Sequence, residues 1–201
     1  MSVVEAASAP DAVAANVNSR THHCPRERVV ATVLFTDIVG SVRRAWDLGD
    51  RAWCDLLEAH DDLVRAELDR HGGREIDTAG DGFFATFTSP GSAIACACGI
   101  GDGVRSLGLE TRAGLHIGEL ERLRFKVGGV AVLIGARIAG HARASEVLVS
   151  RTLKELLAGS DIGFCDRGSH ALRGLPGRWP LFAVERRATS SSRQARDATT
   201  P

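Results

Sequence analysis

The chain has 201 residues, and its 25 Lys and Arg balance 25 Asp and Glu to a formal net charge of zero. That size suits one domain with a sizeable core and two tails. The charge balance gives no electrostatic case for nucleic acid or a membrane surface as partner. No apolar run is long enough to span a bilayer, and the N-terminus lacks a basic segment followed by an apolar core. A cytoplasmic location is the expectation. The five cysteines are an odd number without framework spacing, so free thiols are expected.

In chain order, residues 1–27 are Ala-, Ser- and Asn-rich without apolar periodicity and read as a disordered tail. His22-His23-Cys24 has metal-ligand residue types but no further ligands, so it reads as part of that tail. Val29–Phe35 is a β-branched apolar run, which predicts a buried strand, with a turn at Asp37. Trp46, Trp53, Leu56, Leu57, His60, Leu63, Val64 and Leu68 largely keep helical spacing, which predicts a helix from about Asp50 to Arg70, stopped by Gly72-Gly73. Arg74–Thr78 and Phe83–Phe87 form a hairpin around Gly80-Asp81-Gly82. Ser89-Pro90 caps a helix reaching Leu107 and burying Ile94, Ala97, Gly101 and Val104.

Thr111–Ile117 reads as a strand, and Leu120–Val127 as a hairpin or loop. Gly128-Gly129 opens a helix to His141. Glu146–Val149 is a short strand, Ser150 caps a short helix ended by Gly159, and Ile162–Arg167 and Trp179–Val184 are the last strands. Residues 186–201 are Ser-, Thr- and Arg-rich and read as a second disordered tail. The order βαββαβ, then further α and β, predicts an α+β fold: a ferredoxin-like core with an α/β extension over residues 28–185.

Two carboxylates stand out. An ionised Asp37 directly after a buried strand is costly unless something pairs it. Asp81 sits at the tip of a tight turn. Brought together by adjacent strands, the two would make a hard-oxygen site for Mg²⁺ or Mn²⁺.

Four motifs in order, Phe35-Thr36-Asp37-Ile38-Val39-Gly40-Ser41, Gly80-Asp81-Gly82, Gly114-Leu115-His116-Ile117-Gly118-Glu119 and Ala136-Arg137, closely resemble the catalytic domain of bacterial class III nucleotide cyclases. The resemblance implies that a ribose 3′-hydroxyl attacks its own α-phosphate with loss of pyrophosphate. It implies two Mg²⁺ or Mn²⁺ ions per site, held by Asp37, Asp81 and the Ile38 carbonyl. Arg137 matches the arginine that stabilises charge at the α-phosphate. Arg173 falls where the family often has a lysine for the terminal phosphates. Ser41 keeps one of two hydroxyl positions after the first motif; Val42 replaces the other.

The pattern departs at three places. At the base-reading positions, where adenylate cyclases have Lys and Asp, this chain has Asp77 and Lys126. They are expected within salt-bridge reach of each other. Leu133 replaces the asparagine that orients the ribose, four residues before Arg137. The resemblance further implies a homodimer with composite sites: one chain brings Asp37 and Asp81, the other the base-reading positions, Leu133, Arg137 and Arg173. ATP is the leading substrate, with cAMP as product. A guanylate cyclase is one alternative, since Asp77 suits the donors of guanine. A catalytically weak nucleotide-binding or dimerisation module is another.

Overall fold

A computed structural model of the chain describes residues 27–123 and 126–185. The His22-His23-Cys24 stretch and both tails lie outside these residues, except Glu27, which opens the first strand. The first strand, β1, runs Glu27–Ile38 and is followed by helices α1 (Ser41–Leu48) and α2 (Asp50–His71). The hairpin β2 (Arg74–Ala79) and β3 (Gly82–Phe87) leads into α3 (Pro90–Gly103), which tightens into a 3₁₀ turn over Val104–Leu107. Then come β4 (Thr111–Leu123), β5 (Lys126–Gly128), α4 (Val130–His141), β6 (Val147–Ser150) and α5 (Arg151–Leu156). The strands β7 (Phe164–His170) and β8 (Trp179–Val184) close the order.

One sheet runs β2-β3-β1-β4-β6-β8-β7, with β5 paired to β4. Its first four strands have the ferredoxin-like order, all antiparallel, and β6 joins β4 in parallel as the extension. β1 is central and covered on both faces, which is why its sequence is nearly continuous in apolar residues. Leu34 and Ile38 pack into the main core with α2 and α3 residues such as Val64 and Ile100. Ala31, Val33 and Phe35 face the other way, toward Ala131 of α4. Each fully buried aliphatic side chain here contributes roughly 1.5–3 kcal/mol.

α4 lies unusually close to the sheet. A Cβ on Gly114 of β4 would sit 2.1 Å from the Ala139 backbone nitrogen, and one on Gly135 would sit 2.5 Å from Val33 Cγ2. These two glycines are therefore spacing elements, and they fix the height at which α4 carries Leu133 and Arg137.

Several elements differ from the sequence reading. β1 continues through Asp37 to Ile38, so Asp37 is a strand residue and the turn lies at Val39-Gly40. The pairing of Asp37 with Arg112 of β4 extends the strand. α1 is a separate helix, because Gly49, at φ 77°, breaks it from α2. Trp46 does not join the α2 core: it is 88% exposed. β4 runs on to Leu123, and with β5 it makes the expected hairpin. Ser89 and Ser150 are caps as read, accepting from the Ser92 and Leu153 amides. Ile94, Ala97, Gly101 and Val104 are buried as expected.

Candidate active site

The pairing register brings Asp37 and Asp81 to one end of the sheet. Thr36 of β1 lies opposite Phe83 of β3, so the two-residue turn before β3 reaches back over the end of β1. Gly80, at φ 65°, supplies the left-handed position of that turn. Asp81 Oδ2 accepts a hydrogen bond from the Ile38 amide at 3.2 Å. One carboxylate is thereby tied to the residue next to the other. Both side chains are half-buried, and Ser41 opens α1 just beyond the Val39-Gly40 turn.

Arg112 completes this corner, and the sequence reading missed it. It stands directly across from Asp37 on β4. Its Nε donates to Asp37 Oδ2 at 3.0 Å, and its terminal nitrogen makes a second contact to the same oxygen. The only signal is the β1–β4 register, which a single sequence does not print. The donor set is hard oxygen, from two carboxylates and a backbone carbonyl at one sheet end, and it fits Mg²⁺ or Mn²⁺. Among the described residues no group of three His, Cys, Asp or Glu gathers as a metal cage. Oxygens of a bound triphosphate would have to complete the coordination, as Mg²⁺ sites in phosphoryl-transfer enzymes commonly do.

A second group forms around α4. Leu133 and Arg137 share its outer face, one turn apart, and Leu133 is 53% exposed. Arg137 Nε donates to the Arg173 carbonyl at 3.1 Å, so the two arginines sit together. Among the described residues no hydrogen bond or ion pair joins either of them to Asp37 or Asp81.

Asp77 lines a surface cavity of about 360 Å³ together with Phe35, Phe84, Val127 and Val132. The Phe35 and Phe84 rings are stacked at 4.5 Å. Among the described residues Asp77 and Lys126 form no salt bridge. Asp77 Oδ1 instead accepts the Thr78 amide at 3.0 Å, and Lys126 is exposed on β5. The reason is strand alternation: Val127 faces the cavity, so its neighbour Lys126 points to the other side.

The motif histidine is structural. His116 is 6% exposed, and its Nδ1 lies 2.8 Å from Ser150 Oγ. Its ring also meets the Trp179 edge at 6.3 Å. Burial pushes its pKa down to about 4. The unfolded chain protonates near the ordinary histidine value of about 6.5, so this contribution is intact above that pH and lost as pH falls toward 4. Urea titrations at pH 8 and pH 5 should find the wild type about 2 kcal/mol weaker at pH 5 from this group. His116→Gln should show a correspondingly smaller difference between the two pH values.

With this geometry in place, comparison with known proteins is informative. Residues 25–186 match the family model of the adenylate and guanylate cyclase catalytic domain. The chain belongs to this family. An uncharacterised protein of Mycobacterium tuberculosis is 29% identical over 150 residues, covering 72% of this chain and 52% of the relative. The cyclase domain therefore spans about half the length of that relative. A putative adenylate cyclase of Rhizobium meliloti is 25% identical over 158 residues, covering 74% of this chain and 27% of the relative. Among solved structures, the adenylyl cyclase CyaB from P. aeruginosa superposes with a TM-score of 0.77 at 20% identity, covering 82% of this chain and 98% of that one. The guanylate cyclase domain of RhGC from Catenaria anguillulae, in complex with GTP, gives 0.73 at 16% identity, covering 81% and 100%. These likenesses establish the cyclase fold. No helix among the described residues is long and apolar enough to cross a membrane.

Proposed function

We propose that this cyclase domain is a working, metal-dependent homodimeric enzyme that converts ATP to cAMP and pyrophosphate. The observation that carries the reading is the Asp81–Ile38 hydrogen bond, which gathers both motif carboxylates at one sheet end. In the reaction the O3′–Pα bond forms, the bond from Pα to the bridging oxygen breaks, and the hydroxyl proton leaves.

Asp37, Asp81 and the Ile38 carbonyl would hold two Mg²⁺ or Mn²⁺ ions, which supply acidification of the 3′-hydroxyl and charge neutralisation on attacking and leaving oxygens. Arg137 would meet the charge growing on the α-phosphate. Its guanidinium stays ionised and forks onto two oxygens, and the Arg173 carbonyl fixes its direction. Arg173 would hold the terminal phosphates. Ser41, at the start of α1, lies at the carboxylate end. Asp77 would accept from the base edge in the cavity, Leu133 would stand at the ribose, and Lys126, on the other side of β5, would not reach the base.

The lack of any hydrogen bond or ion pair, among the described residues, between the two arginines and the two carboxylates is in keeping with composite sites, each finished by the partner chain. Exposed apolar side chains on α4 support pairing as well: Val130 is 62% exposed and Leu133, three residues on, 53%. Leu133 at the ribose position withholds a hydrogen bond, which lowers turnover without removing the charge chemistry.

A second reading, GTP as substrate, rests on Asp77. An acceptor in the cavity suits the N1–H and amino donors of guanine. The experiment is incubation with Mn²⁺ and either ATP or GTP, with product separation. Cyclic product from ATP supports the main reading, and clear preference for GTP moves it to the second. Tight binding of nucleotide and metal with no product leaves a binding module.

Arg112 adds a separate prediction. It occupies Asp37 when nothing else does, so Arg112→Gln should tighten Mn²⁺ binding to nucleotide-free protein about threefold. The pair is about one-third exposed, which keeps its strength below about 1 kcal/mol. Calorimetric titration of Mn²⁺ reads this directly.

A further inference from the structure

Three more side chains converge beside Arg137 and Arg173. His141 lies one turn beyond Arg137 on α4, and its ring centroid is 5.1 Å from that of His170 at the end of β7. His170 Nε2 lies 2.8 Å from the Arg167 carbonyl. A carbonyl only accepts, so Nε2 carries a proton and Nδ1 faces elsewhere. Arg178 donates to the Ser169 carbonyl. Together with the Arg137–Arg173 contact, three cationic or imidazole groups are anchored through backbone carbonyls of one stretch, residues 167–173. Each guanidinium anchor uses one donor and leaves the others of that side chain for a ligand.

No carboxylate forms an ion pair with Arg137, His141, His170, Arg173 or Arg178 among the described residues. The nearby acid, Glu146, is already paired with Arg167 at 2.8 Å. Such an unneutralised, pre-anchored group favours a multiply charged anion. A metal ion on the two imidazoles is disfavoured by the neighbouring guanidiniums.

We propose that His141, His170 and Arg178 extend the phosphate-binding half of the site, so that the chain grips the distal phosphates of its substrate and the pyrophosphate it releases. This deepens, and rests on, the cyclase reading.

The test is calorimetric titration of the whole chain with inorganic tripolyphosphate in EDTA, at one fixed pH. EDTA removes the metal site from the measurement, so the outcome does not depend on turnover. The double variant of His141→Gln and His170→Gln should bind about tenfold more weakly than wild type, the scale of one lost charge-assisted contact. Arg178→Gln should weaken binding as well. Imidazole proton resonances of the wild type should also shift on adding tripolyphosphate, which guards against a misfolded variant. Wild-type affinity in the double variant, or unmoved imidazole signals, overturns the proposal. A protein that binds tripolyphosphate this way yet forms no cyclic product would retain this inference and lose the enzymatic one.

Discussion

Asp37→Ala is expected to lower cyclic-nucleotide formation by about three orders of magnitude or more. Three orders correspond to about 4 kcal/mol of transition-state stabilisation, which is the scale of a metal ion placed at a transferring phosphoryl group. Asp81→Ala should be as damaging, because a site with one anchoring carboxylate cannot hold two divalent ions. The folded state should tolerate either change. The Asp37–Arg112 pair is about one-third exposed, so its loss costs less than about 1 kcal/mol, and the freed guanidinium can hydrate. Unfolding midpoints measured alongside turnover separate the two effects. Asp37→Asn keeps the shape and removes the charge, and it should be nearly as inactive as the alanine variant. Equal traces of product from wild type and Asp37→Ala would end the enzymatic reading.

Arg137→Ala should lower turnover by about two to three orders of magnitude, the cost of one preorganised donor aimed at developing charge. The more discriminating result comes from mixing. In a composite site Asp37 and Arg137 act in different chains, so each variant alone yields a dimer with two broken sites. Mixed and allowed to exchange, half of the dimers pair one variant with the other. In each of those, one site carries both lesions and one carries none. Activity should return to about one quarter of the wild-type value. A mixture that stays inactive although the chains exchange would mean that each site takes Asp37 and Arg137 from one and the same chain. Recovery is the result expected of the composite site proposed above.

Much of this was legible in the residues. Apolar runs, glycine stops and the serine caps at Ser89 and Ser150 marked most of the elements, because each is a local effect of backbone conformation and capping. The spelling around Asp37, Asp81 and Arg137 was enough to suggest a cyclase. Where the reading slipped, a non-local contact had decided. β1 outlasts its apolar run because Asp37 finds Arg112 across the ladder. Trp46 has helical spacing with α2, but Gly49 divides the helix and leaves the ring in solvent.

The order of elements, the caps and the candidate carboxylates were determined by the sequence alone, since propensity and hydrophobic period act over a few residues. Only the tertiary structure decided which side chains meet. Arg112 reaches Asp37 across 75 residues of chain through the β1–β4 register. Lys126 turns away from Asp77 because strands alternate their faces. His141 meets His170 because Gly114 and Gly135 let α4 settle against the sheet. Register and close packing are set by distant parts of the chain together, and a linear reading does not contain them.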